Sequence, residues 1–313
     1  MSAAIASART LPCITILLST FNGEKFLRAQ LDSFIRQTYE NWTLFWRDDG
    51  SSDGTRGIMR EFTAEIGANR CVEAPGSGLH LGATPSFLRL LRGTGATQAV
   101  AFADQDDVWL PNKLQDAARH LAAAGPQAVL YCARQFLVDE ALLGAKLSAS
   151  HCHLPAFPAS LTQNIANGNT LVMNAQAASL VAAMPEPEGT VHDWWSYIVV
   201  SACGGTVIFD QEPQILYRLH ANNLIGSARP AMSRAAAALR RGPDIFMTMM
   251  RRHVEALAAQ LDSLPAASQA DIKMIKTALD GGFWQRLAAL RCPRFRRRTL
   301  LENVLFSYWF LTG

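Results

Sequence analysis

The sequence predicts an α/β fold: a mostly parallel sheet flanked by helices, followed by a basic helical tail. Three observations predict it. Short apolar runs alternate with helical patterns over roughly the first 130 residues. Such runs read as strands buried on both faces, and the alternation implies right-handed crossovers. Polar clusters follow three of the runs, at the rim where open α/β sheets bind ligands. Charge is also uneven. From Arg229 onward there are 14 Lys+Arg against 6 Asp+Glu, and the preceding residues carry 15 against 20. An acidic body and a basic tail suit a cation on one and phosphate or an anionic membrane surface on the other.

Residues 1–10 are small and polar. Residues 13–19 form the first expected strand, and Asn22-Gly23-Glu24 opens a helix with the stripe Phe26, Leu27, Leu31, Phe34 and Ile35. Residues 43–47 form the second strand. Asp48-Asp49-Gly50-Ser51-Ser52-Asp53-Gly54-Thr55 follows, in which Asp53 can cap a helix facing the core through Ile58, Met59, Phe62 and Ile66. A short strand at 70–73 leads into a glycine-rich loop, 76–82. Thr84-Pro85 then starts a helix through Phe87, Leu88 and Leu91. The apolar run 99–103 ends in Asp104-Gln105-Asp106-Asp107-Val108-Trp109, a helix runs from Pro111 to about Ala124, and residues 128–132 form the next strand. Beyond it the pattern loosens. Residues 133–160 read as an irregular insertion containing Pro155 and Pro158, 168–174 as a strand and 175–183 as a short helix. A helix at 191–200 carries His192-Asp193-Trp194-Trp195, and two strands follow at 205–210 and 214–220.

At 313 residues the chain can bury a sizeable core. Six scattered cysteines without a Cys-x-x-Cys fit a reducing compartment. His151-Cys152-His153 is set aside as a metal site, because adjacent side chains rarely converge on one ion. The first apolar run is too short for a secretory leader, and no run approaches the roughly 20 residues that span a bilayer.

Three carboxylates within four residues, Asp104, Asp106 and Asp107, repel one another unless a cation or hydrogen-bond donors offset them. At a strand end they read as a divalent-metal site or, more blandly, as turn and cap residues. The first turn holds one glycine, so the Gly-x-Gly-x-x-Gly dinucleotide turn is absent, and so is a Walker phosphate loop. The run from Asp49 begins like a calcium loop, but its twelfth position is Arg60 in place of a bidentate Glu. An Asp nucleophile directly after the first strand is also lacking. What remains is an aromatic, Phe21, able to stack on a base, with Asp49 as an acceptor for base or ribose and a carboxylate pair to hold a metal on a pyrophosphate. That set suits a nucleotide-sugar donor.

These residues, in order, resemble glycosyltransferase family 2, the inverting GT-A (nucleotide-diphospho-sugar transferase) enzymes, and more narrowly its bacterial rhamnosyltransferase-like members. The resemblance is carried by Ile16 to Leu27, Gln37-Thr38-Tyr39, Asp48 to Thr55, Asp104 to Trp109, His192 to Trp195, and Tyr217-Arg218-Leu219-His220-Ala221-Asn222-Asn223, spanning roughly residues 11–226. Each motif alone is weak, and the ordered set is strong. The resemblance implies that Ser19, Phe21 and Glu24 line the donor pocket, with Asp49 on the base or ribose. It implies Asp106 as a direct Mg²⁺ or Mn²⁺ ligand, with Asp104 and His220 beside it, and Asp107 and Arg218 toward the donor. Asp193 would be the general base. Trp194 and Trp195 are either helix core or an acceptor platform, and Glu24 is either a first-turn charge or a donor contact.

The chain departs from the family in carrying Phe21 for a usual Tyr and His80-Leu81-Gly82 for a frequent Asn-x-Gly. The processive Gln-x-x-Arg-Trp motif is absent, so transfer of one sugar is expected. The donor would be a dTDP-sugar such as dTDP-rhamnose, or a UDP-hexose. The acceptor would be a bacterial surface glycan, lipid-linked in a cytoplasmic setting. A sugar-phosphate nucleotidylyltransferase and a non-catalytic binding module are the alternatives. The former wants a glycine-rich turn with a basic residue that Gly23 alone does not supply, and the latter would have lost Asp106 or Asp193. The division is expected at 11–228, with a donor half to about 132 and an acceptor half from 133, and at 229–313 for the basic helical extension. Within it, Arg291, Arg294, Arg296, Arg297 and Arg298 precede an aromatic-rich helix that either lies in a membrane interface or packs on the body.

Overall fold

Among the described residues nine strands form one twisted sheet, and the apolar runs of the sequence are its centre. The structure is a computed structural model that describes residues 12–151, 156–220 and 243–313. Cys152, His153, Pro155, the Ala221-Asn222-Asn223 end of the last motif and the expected 228/229 boundary lie outside the described residues.

The first half alternates as expected: β1 (Ile14–Thr20), α1 (Leu27–Ile35), β2 (Trp42–Asp48), α2 (Thr55–Ile66), β3 (Cys71–Glu73), α3 (Ala83–Gly93), β4 (Ala99–Ala103) and α4 (Lys113–Ala124), with a two-residue strand, β5 (Val108–Trp109), that was not expected before α4. Then come β6 (Val129–Val138), β7 (Lys146–Leu147), β8 (Val172–Met173), α5 (Ala175–Ala183), α6 (His192–Ala202) and β9 (Thr206–Arg218). The tail supplies α7 (Asp244–Ala258), α8 (Ala266–Asp280), α9 (Phe283–Leu290) and α10 (Leu300–Thr312). The strand order is β3-β2-β1-β4-β8-β6-β9-β5, with β7 on β6. β3, β2, β1 and β4 are parallel, as are β6 and β9, and β8 joins the two groups antiparallel. Every residue of β4 is buried, as its unbroken apolar run requires of a central strand.

Three elements differ from the expectation. β6 extends to Val138 and β7 pairs with it, so the start of the expected 133–160 insertion is sheet while most of it is irregular. β9 is one strand, not two. Pro213 lacks an amide hydrogen and reads as a strand end, but the β6–β9 ladder absorbs it in a register shift near Arg134. The 168–174 segment is mostly a 3₁₀ turn, Gly168–Thr170, with only Val172–Met173 in the sheet.

The tail is not a separate layer. α10 turns Phe306, Trp309 and Phe310 inward, against Phe295 and Phe246, in the same apolar cluster as Phe87 of α3 and Trp195 of α6. The helix is closed at its start by Thr299 and Glu302, each accepting from the other's backbone amide. Among the described residues no helix is long and apolar enough to cross a membrane.

Candidate active site

Parallel pairing sets the ends of β1, β2 and β4 side by side, so the residues after Thr20, Asp48 and Ala103 meet on one rim. Phe21 is exposed there, its ring centroid 4.8 Å from that of His80. The sequence offered His80 only as a loop residue. Gln105 was missed altogether. Its Oε1 accepts from the Phe21 amide at 2.9 Å and its Nε2 donates to the Phe21 carbonyl at 2.9 Å, a two-point clamp between the aromatic and the carboxylates. Gly23 leaves room for it, since a Cβ there would stand 2.3 Å from Gln105 Oε1. Gln105→Ala should therefore raise the KM for the nucleotide donor about threefold to thirtyfold with kcat little changed, the signature of lost uniform binding. Initial-rate kinetics check this, and an unchanged KM would remove Gln105 from the site.

Asp49 is the hub of the neighbouring loop. Oδ1 accepts from Arg47 at 2.5 Å, Leu81 N at 2.7 Å and Ser86 at 2.9 Å, and Oδ2 accepts from Gly82 N at 2.8 Å. Burial works to raise its pKa, but the Leu81, Arg47, Gly82 and Ser86 donors prevail and hold it below the usual carboxylate range. Within the protein, Oδ1 takes three donors and Oδ2 takes the Gly82 amide. Asp49 thereby fixes the loop beside Phe21. Glu24 is likewise engaged: its Oε2 accepts from Gly54 N at 3.0 Å, at the start of α2, while its own amide donates to Asp53 at 3.0 Å. Ser19 is half-buried on β1, opposite Arg47. Gln37, from a motif with no assigned role, donates to Leu110 O at 2.9 Å and accepts from Leu114 N at 3.1 Å, bracing the turn into α4.

The three carboxylates separate. Asp106 Oδ2 lies 2.8 Å from His220 Nε2. Asp104 is half-buried, and burial followed by the charges of Asp106 and Asp193 raises it to about 7, against an opposing effect of Lys113. Asp107 is wholly buried. It accepts from Asn169 Nδ2 at 2.7 Å and Arg218 N at 3.2 Å, tying the turn after β4, β9 and the 3₁₀ turn together. Arg218 is buried as well, its Nε donating to Asp106 O at 2.9 Å and its guanidinium 4.5 Å from the Phe26 ring. Lys113 is another residue the sequence did not mark. Fully buried, it donates to Asn169 O at 2.8 Å and stands 3.4 Å over the Trp109 ring, and burial pulls its pKa well below the ordinary lysine value against the opposing charges of Asp107 and Asp104.

Asp193 stands in the first turn of α6. Its Oδ2 accepts from Gly168 N at 2.9 Å and its Oδ1 from Trp194 N at 2.5 Å. Burial raises its pKa to about 6, opposed by the Gly168 and Trp194 amides and a side-chain bond from Asn164. The charge of Asp193 is among those that raise Asp104. Gly168 is needed: a Cβ there would come within 2.8 Å of His192 Nε2. His192 is buried and stacked on Phe87 with centroids 4.2 Å apart, and burial lowers its pKa to about 3, so the imidazole behind Asp193 is neutral. Trp195 is completely buried and stacks on His253, which corrects its reading as an acceptor platform. Trp194 is half-buried, donates to Ser160 O at 2.8 Å and stacks toward Phe246.

Whether these residues suit a divalent cation follows from the donor set. Among the described residues no group of three His, Cys, Asp or Glu side chains is gathered on one point. Asp106 and His220 nevertheless present an oxygen and a nitrogen to each other, with Asp104 carrying charge nearby. One or two protein ligands, completed by substrate phosphates, is the usual arrangement for Mg²⁺ at phosphate sites, and the set fits.

Comparison with known proteins places the chain in a family. The family profile of glycosyl transferase family 2 matches residues 15–178. The chain is 25% identical over 223 residues to the dTDP-rhamnosyl transferase RfbG of Shigella flexneri, covering 67% of this chain and 74% of RfbG. It is 35% identical over 103 residues to the UDP-Glc:alpha-D-GlcNAc-diphosphoundecaprenol beta-1,3-glucosyltransferase WfgD of Escherichia coli, covering 33% of this chain and 38% of WfgD. Its fold is that of S. aureus TarS 1-349 in complex with UDP-GlcNAc, at a TM-score of 0.52 and 13% identity, over 90% of this chain and 89% of the other. The mannosyltransferase PcManGT from Pyrobaculum calidifontis, in complex with GDP-Man and Mn2+, superposes at 0.50 and 15% identity, over 96% and 86%. Both are GT-A-type folds.

Proposed function

The chain belongs to glycosyl transferase family 2, and from that membership we propose that it moves one sugar from a nucleotide-diphosphate donor to a bacterial surface glycan, with inversion at the anomeric carbon. It is a glycosyltransferase. The observation that carries the mechanism is Asp193: a half-buried carboxylate held by the Gly168 and Trp194 amides, with a pKa raised to about 6 by desolvation. One pH unit above that value it is ionised about ten to one, so at pH 7 it is ready to accept a proton.

Phe21 offers its exposed face to the base, with His80 beside it. Asp106 and His220 would hold Mg²⁺ or Mn²⁺, with Asp104 in support; bound there, the cation offsets the charge developing on the leaving diphosphate. Asp193 takes the proton of the acceptor hydroxyl as that oxygen bonds to the anomeric carbon. The bond from that carbon to the diphosphate oxygen breaks on the opposite side, and the electron pair leaves with the nucleoside diphosphate. A single displacement inverts the centre. The Gly168 and Trp194 amides hold the carboxylate in one orientation for this transfer. Trp194, half-buried next to Asp193, is the remaining candidate for acceptor contact.

Similarity to RfbG along two thirds of the chain supports a dTDP-sugar, rhamnose foremost, with a UDP-hexose as the second choice. WfgD, a glucosyltransferase acting on alpha-D-GlcNAc-diphosphoundecaprenol, supports a lipid-linked glycan met at the inner face of the cytoplasmic membrane, with peripheral contact through 291–313. The division into a donor half, 11–132, an acceptor half, 133–228, and a helical extension, 229–313, belongs to this proposal.

A nucleotide-sugar panel with Mn²⁺, read as nucleoside diphosphate release in the presence of acceptor, tests it. One dTDP- or UDP-sugar should turn over, and Asp106→Ala should lower that turnover at least about a hundredfold. Full turnover by Asp106→Ala would overturn the metal assignment, and no turnover with any donor would overturn the substrate class.

A further inference from the structure

α10 has two apolar faces, and the body covers only one. Phe306, Trp309 and Phe310 are spent on the core. Leu300, Leu301, Val304 and Tyr308, at i, i+1, i+4 and i+8, form a second stripe that is 83%, 58%, 60% and 56% exposed. α9 packs beside it, held by Arg286 donating to Phe310 O at 3.3 Å, and exposes Trp284 to 76%. Such a concentration of large apolar side chains in water marks a contact surface.

The charge around it says what the contact is. Residues 281–313 carry six arginines against Glu302 alone. They do not act alike. Arg294 is bidentate on Asp271 at 2.8 Å for each bond, and Arg297 lies inside, 4.6 Å over the Phe246 ring. Arg291 and Arg296 are exposed in the connection between α9 and α10. An apolar stripe flanked by exposed arginines, with almost no acid, complements an anionic lipid surface, whose headgroups take the guanidinium groups while the acyl boundary takes the side chains.

We infer that the outward face of α10, with Trp284 of α9, is the surface on which this enzyme docks to an anionic bilayer. The inference rests on the reading that the acceptor is lipid-linked, and it names the residues that meet the lipid and separates them from those that build the core. Arg297 belongs to the second group, whereas Arg294 is exposed but engaged by Asp271.

The test uses the full chain and sedimentation with phosphatidylglycerol or phosphatidylcholine vesicles. The wild type should pellet with the former and remain in solution with the latter. Leu301→Ser combined with Val304→Ser changes exposed positions only, so it should stay folded and lose partitioning at least about tenfold. Arg291→Gln and Arg296→Gln should each lower it about fivefold, and added salt should do the same. Transfer to a soluble acceptor should be unchanged in all of them, so loss of vesicle binding is distinguishable from failure of the transferase reading. Three results overturn the inference: vesicle binding by Leu301→Ser/Val304→Ser equal to the wild type, no binding by the wild type, or self-association through this face without vesicle binding.

Discussion

Asp193→Asn is expected to lower kcat about 10²–10⁴-fold, the usual contribution of a positioned general base, with the donor KM little changed. The amide keeps the size of the carboxylate but cannot accept a proton. It can still take hydrogen bonds from Gly168 N and Trp194 N through its one oxygen, though not through both positions, so some loosening of the turn at 168 accompanies the loss. Single-turnover kinetics separate the two effects. A proton-transfer defect slows the chemical step itself, whereas a disordered turn raises the KM for acceptor. Activity within about threefold of wild type would remove Asp193 from the reaction.

Arg47→Ala is expected to cost about 3–5 kcal/mol of stability, because it strips a buried carboxylate of its counter-ion. Arg47 is completely buried, pairs with Asp49 at 2.5 Å, and also donates to Ser86 and the Leu79 carbonyl. Asp49 would remain in place with its remaining donors but without the cation. The urea midpoint reads the loss, with an unchanged m value showing that stability rather than compactness has moved. Replacing both partners, Arg47→Met with Asp49→Asn, should recover part of it, since the unpaired charge goes as well. A loss under about 1 kcal/mol for the single change would contradict the assignment of Arg47 and Asp49 as the structural hub of the donor loop.

Where sequence and structure agree, the reason is local. β1, β2 and β4 are continuous apolar runs, and the helices between them carry one stripe each, so pattern alone locates them. β8 and β5 are two-residue strands, and β9 passes through Pro213. Their pairing depends on partners far along the chain, which no window of sequence contains. The site divides in the same way. Acidic residues at strand ends can be read directly, but their partners cannot. Asp49 and Asp107 look like Asp106 in sequence, yet Leu81, Gly82, Ser86, Asn169 and Arg218 donate to them across 32 to 111 positions of chain. Gln105 carries no charge and matches no chemical motif, so only its two bonds to Phe21 disclose it. Gly168 is visible as a glycine, but its need arises from His192, 24 positions away in space-filling contact. The basic tail was legible as a cluster. Which arginines it keeps for itself depends on Asp271 and Phe246, outside the cluster.

The pH dependence of kcat/KM for the acceptor, taken on the wild type and Asp193→Asn side by side, tests the central claim most directly. Burial lifts Asp193 to about 6, and the base works only when ionised. Its contribution is therefore complete well above pH 6 and lost as pH falls through that value, about tenfold per unit below it. The wild type should show an acid limb with an apparent pKa near 6, and Asp193→Asn should show residual activity without that limb. The same acid limb in both proteins would contradict Asp193 as the general base.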